Sequence, residues 1–124
     1  MLNDRVCLSV PAEASYARVV RMTASNLAVL CEMDVDDVEN VRMAAEEGFV
    51  YACATRPETC DVSFELAHGE VRMGFLLGDS DAEDAPETDL DLVEALLDAV
   101  CADFGFSDDG ATLSLVLKAG THAC

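Results

Sequence analysis

Positive charge is scarce in this chain: seven Lys and Arg stand against 25 Asp and Glu, a formal charge of −18 over 124 residues. So acidic a surface repels phosphate backbones and anionic lipid headgroups, which argues against nucleic-acid and membrane-surface partners and leaves a basic protein surface compatible. Long apolar runs are missing too, and no stretch approaches the ~20 residues that span a bilayer. The opening Met1-Leu2-Asn3-Asp4-Arg5 lacks the basic segment and apolar core of a secretory signal. The six cysteines, Cys7, Cys31, Cys53, Cys60, Cys101 and Cys124, include no C-x-x-C pair of the kind that marks zinc or redox sites. They read as reduced, mostly buried small hydrophobes of a cytoplasmic protein, with a disulfide framework as the alternative. No internal repeat, low-complexity tract or linker divides the chain.

What is present is enough apolar material for one folded domain, since 52% of the residues are hydrophobic. Cys7 to Val10 suits a first strand, closed by Pro11. From Ser15, a candidate cap, Tyr16, Val19, Val20, Thr23, Leu27 and Leu30 follow helical spacing. Asp34 or Asp36 is placed to cap a second helix that runs to about Ala54, before Arg56-Pro57 breaks it. Val62, Phe64 and Leu66, then Val71, Met73 and Phe75, alternate around His68-Gly69 and predict a hairpin. Gly78 to Thr88 reads as an acidic loop, and Leu90 to Val100 as an amphipathic helix. Cys101–Phe106 and Ala111–Leu117 predict two strands joined by Ser107-Asp108-Asp109-Gly110. The expected fold is α+β, a two-layer sandwich of a mixed, mainly antiparallel sheet with three helices on one face.

The second helix carries the most pointed chemistry. Val38, Val41, Ala45, Gly48 and Ala52 make a narrow packing stripe, with Ala44, Glu47 and Tyr51 beside it. Desolvating a carboxylate costs several kcal/mol or more, so Glu47 belongs at a cleft or at the rim of the core. The plainer alternative is a helix whose Glu46 and Glu47 simply face water.

The order of elements, with Ser15-Tyr16-Ala17-Arg18-Val19, the run Asp37 to Ala54, the helix Thr88 to Val100 and the strand Gly110-Ala111-Thr112-Leu113-Ser114-Leu115, resembles a known family. This family is the small anti-sigma factors that are also serine-protein kinases, built on the histidine-kinase-like (GHKL) ATPase fold. The resemblance implies that Glu47 matches the glutamate that positions or deprotonates the attacking hydroxyl in phosphoryl transfer. It puts Tyr51 where the family's magnesium asparagine stands, and a protonated phenol is a poor magnesium ligand. Leu77 falls on the adenine-reading aspartate and Asp79 and Asp81 on two spaced glycines, with a register open by one or two residues that lets Asp79 slide into the aspartate role. Asp89 and Asp91 replace the glycines whose helix N-terminus meets the phosphates. Like charges at about 4 Å cost on the order of 4 kcal/mol at an effective dielectric near 20. The resemblance therefore implies a degenerate member with a kept scaffold, a dismantled ATP site and no resident cofactor or metal.

Other chemistry is weaker. Asp79, Asp81, Glu83 and Asp84 begin like a calcium loop, but Asp84 and Leu90 stand where that loop needs glycine and a bidentate glutamate. His68 and His122 read as surface residues. Arg18 matches a family arginine that contacts the sigma factor or its antagonist, against the alternative of a solvated helix arginine. Given so many acids, Arg18 is expected to find a carboxylate neighbour. The expected function is regulation of transcription by protein binding, as a homodimer with a sigma factor or an anti-sigma antagonist as partner. The alternative is an active ATP- and magnesium-dependent serine kinase with Glu47 as base. A third possibility is an interaction made by the acidic loop itself.

Overall fold

The computed structural model describes residues 4–80 and 89–120. The elements run β1 (Arg5–Pro11), a 3-10 turn (Ala14–Tyr16), α1 (Ala17–Leu30), α2 (Val35–Ala54), β2 (Thr59–Ala67), β3 (Glu70–Leu76), α3 (Leu90–Val100), β4 (Asp103–Phe106) and β5 (Thr112–Lys118). The predicted order holds throughout. The sheet has five strands in the order β1-β2-β3-β5-β4, and every neighbouring pair is antiparallel. This corrects the expected mixed sheet. The physical reason lies in the crossovers: passing through two helices between β1 and β2 reverses the chain three times, so β2 arrives antiparallel to β1. The single helix α3 returns β4 in the direction of β3, but β5 inserts between them and separates the one parallel pair.

One face of the sheet buries Val62, Phe64, Val71, Met73, Phe75, Leu113, Leu115 and Leu117 against Val20, Leu27, Val41, Ala45, Phe49 and Leu97 of the helices. The alternate residues of the same strands are intermediate or exposed, so the three helices form one layer and the opposite sheet face stays uncovered by any described element. The close approach of α2 is set by Gly48, where a Cβ would lie 2.5 Å from the Phe75 ring. Val41, Ala45, Gly48 and Ala52 of the expected stripe are buried, together with Ala44 and Phe49; Val38 is only partly so.

The caps sharpen the sequence reading. Asp34 caps α2 in a reciprocal box: its side chain accepts from the Asp37 N–H at 2.9 Å and Asp37 accepts from the Asp34 N–H at 3.3 Å. Ser15 does not cap α1. The Tyr16 N–H donates to Glu13 O at 3.0 Å, which draws Ser15 into the 3-10 turn and makes Tyr16 the N-cap, with no side-chain bond. The hairpin turns at Gly69, whose φ of 70° suits a residue without Cβ. Gly69 also donates to Cys31 O at 2.8 Å and accepts from the Ala119 N–H at 2.8 Å, tying the hairpin to the α1–α2 turn and to the end of β5.

Among the described residues no helix is long and apolar enough to cross a membrane.

Candidate functional site

At the C-terminal end of α2 the chain leaving β3 is bolted to the helix. The Thr55 hydroxyl donates to Ala52 O at 2.6 Å and accepts from the Gly78 N–H at 2.7 Å, while Thr55 O accepts from the Ser80 N–H at 3.1 Å. Gly78 is required here by contact, because a Cβ would lie 2.2 Å from Thr55 O. The result is a shallow groove of about 350 Å³ whose walls include Tyr51, Thr55, Leu77, Gly78, Asp79 and Phe106. Tyr51 stacks on Phe106 with ring centroids 5.5 Å apart and planes tilted by 48°, a geometry worth about 0.5–1.5 kcal/mol beyond its buried area.

Three of the positions singled out from the sequence thus meet: Tyr51, Leu77 and Asp79 share the groove. Asp81 lies outside the described residues. Glu47 sits one turn before Tyr51 on α2, half buried and outside the groove's lining. Its carboxyl is pushed above the usual range, first by desolvation and then by the neighbouring Glu46 charge. Glu46 itself pairs with Arg21 at 2.5 Å, and Glu47 makes no ion pair among the described residues. Asp89 is the N-cap of α3, accepting from the Leu92 N–H at 3.1 Å, and Asp91 is exposed in the first turn. Thr55 and Phe106 were not singled out by sequence reasoning. The tight Gly78 was visible as the only glycine of its segment, but its partner was not.

Among the described residues the groove's polar side chains are those of Tyr51, Thr55, Asp79 and Ser80. Asp79 is the one carboxylate in its lining among the described residues, and the Tyr51 ring packs on Phe106. At the start of α3 the Leu92 N–H is taken by the Asp89 side chain. Among the described residues no group of three or more His, Cys, Asp or Glu is placed to hold a metal ion. Burial pushes the thiols of Cys53 up to about 11 and of Cys60 and Cys101 up to about 12, so they stay protonated and poorly nucleophilic at neutral pH. His68 is exposed in the hairpin turn, its Nδ1 2.9 Å from Glu32.

A second feature lies on α1. This helix carries Arg18 and Arg21 and no acidic residue, in a chain of charge −18. Arg21 is engaged with Glu46, whereas Arg18 is exposed and makes no ion pair among the described residues, contrary to the expected carboxylate neighbour. The flanking Val19 and Met22 are 43% and 47% exposed, so the Arg18 guanidinium stands beside apolar side chains. No family model matches the chain, and no curated protein matches its sequence.

Proposed function

We propose that this chain is a histidine-kinase-like ATPase fold turned into a binding protein, which acts in transcription control by holding a sigma factor or an anti-sigma antagonist through α1. The observation that carries the reading is the Tyr51–Phe106 stack, which puts an aromatic wall where the family resemblance requires a magnesium ligand. The Asp89 cap supports it, since a carboxylate occupies the helix terminus that would otherwise receive phosphate. Arg18 with Val19 and Met22 supplies a partner surface of mixed charge and apolar contact. In this reading the protein is not a kinase and works at equilibrium, by occupancy.

One observation favours an alternative. Glu47 has a raised pKa and makes no ion pair among the described residues, a state that suits a general base in an active ATP-dependent serine kinase with a divergent nucleotide pose.

The deciding experiment sets the two side by side. Calorimetric titration against purified sigma factors and antagonists is expected to show binding that Arg18→Ala weakens tenfold or more. A melting curve in millimolar ATP and magnesium is expected to stay flat, where a ligand at a hundred times its dissociation constant adds about 2.7 kcal/mol. Serine phosphorylation of such a partner that Glu47→Gln abolishes would overturn the binding-only reading.

A further inference from the structure

Among the described residues the three most exposed large hydrophobics lie at one corner: Val29 and Leu30 end α1 at 61% and 60% exposure, and Val35 opens α2 at 78%. Burial was available within the same turn and went to Cys31 and Met33. The corner is firmly held. The Met33 N–H donates to Ala28 O at 3.2 Å and closes α1, the Asp34–Asp37 box opens α2, and the Gly69 N–H ties the hairpin to Cys31 O. Local preference does not account for its exposed residues. Glu32 takes a φ of 61°, which glycine or asparagine adopts more easily, and Val35 holds a first-turn position where an acidic residue would serve the helix better. Around the apolar side chains the charge has one sign: residues 22–41 hold five carboxylates and no lysine, arginine or histidine. Glu32, Asp34 and Asp36 are exposed at the corner itself, with His68 reaching Glu32 from the hairpin turn at 2.9 Å.

We infer that this corner docks a basic amphipathic helix of a partner protein, which sets leucine-like side chains on Val29, Leu30 and Val35 and carries lysine or arginine on either side of them. Charge decides among the occupants. An anionic membrane is repelled by the carboxylates around the patch, and a second copy brings the same carboxylates with it. A helix with apolar residues at intervals of three and four and basic flanks satisfies both the apolar centre and the acidic rim. Leu30 lies ~18 Å along α1 from Arg18, twelve residues at ~1.5 Å each. The inference therefore depends neither on the reading of Arg18 nor on that of the groove.

Fluorescence anisotropy of a labelled peptide of about twelve residues, in which leucine pairs alternate with lysine pairs, tests it against the full chain. Binding is expected to weaken about tenfold in Val35→Ser and in Leu30→Ser, which remove apolar contact and change no charge. Lysines alone would be held anywhere on so acidic a surface, so the decisive comparison is a peptide of the same composition whose leucines do not share a face. It is expected to bind at least tenfold more weakly to the unaltered chain. Equal binding of the two peptides, or of the amphipathic peptide by the unaltered chain and both serine variants, overturns the proposal. Both substitutions replace exposed side chains, and an unchanged melting temperature checks that the fold is kept. Binding to phosphatidylglycerol vesicles, or a concentration-dependent dimer in sedimentation, that the same two substitutions abolish would give the corner to lipid or to a second copy and would also overturn it.

Discussion

At the N-terminal end of α2, Asp37 is 4% exposed and fully engaged, accepting from the Asp34 and Gly120 N–H groups, the latter at 3.0 Å. About three turns along the same helix, Glu47 is half buried, raised in pKa and without an ion pair among the described residues. The comparison separates two uses of a carboxylate. One satisfies amides of two segments, the α1–α2 turn and the end of β5, and helps hold the fold together. The other is desolvated without return, a state that stability alone does not favour and that a site or a partner can exploit.

The largest expected effect comes from breaking the engaged end. Asp37→Ala removes half of the capping box and the acceptor for Gly120, and is expected to cost about 2–3 kcal/mol. On the order of 10 °C would be lost from the melting temperature. A loss under about 0.5 kcal/mol in chemical denaturation would mean that water replaces this carboxylate freely.

An intermediate effect is expected at the other end of the helix. Thr55→Val keeps the shape but leaves the Gly78 N–H and Ala52 O without their hydroxyl partner, a cost of about 1–2 kcal/mol. Hydrogen exchange should show the loosening at the Gly78 amide while the Gly69 amide stays protected, since the two lie at opposite ends of α2. Equal loosening at both would erase the contrast between the ends.

The smallest effect is expected at Glu47, and its sign is opposite. A carboxyl raised in the folded state binds its proton more readily there than in the unfolded chain. Its contribution is therefore fully present below the unfolded pKa and is lost as pH rises through the folded one. Glu47→Gln should slightly raise stability at pH 7 and flatten the pH dependence just above the ordinary carboxylate range. A lower melting temperature at pH 7 would mean that the charged form is stabilised.

Much of the fold was legible because it rests on periodicity. The alternation of Val62, Phe64 and Leu66 with Val71, Met73 and Phe75 specified a hairpin with one buried face, and the structure pairs Phe64 with Met73 in that register. The cap at Asp34 and the break at Arg56-Pro57 were readable for the same reason: each is a local device acting within a few residues. Ser15 misled because two structures compete for the same few residues, and the 3-10 turn took the position that a capping serine needs. Of the candidate site, the sequence shows which residues are chemically unusual, but not their neighbours. Tyr51 and Phe106 are 55 positions apart in sequence and 5.5 Å apart in space. Arg18 was expected to be matched by an acid on statistical grounds; it makes no ion pair among the described residues.

The sequence by itself determined the order and type of the elements, the excess of negative charge and the one-sided apolar pattern of each strand, because all of these depend on residue identity at short spacing. Only the tertiary structure decided that β5 inserts between β3 and β4, making every pair antiparallel. Only it put Thr55 against Gly78 and Tyr51 against Phe106, and aligned Cys7, Ser63, Gly74, Ser114 and Gly105 in one row across the sheet. The physical reason is that these features arise from contacts between distant segments, whose positions are set by the packing of whole layers and not by any local preference.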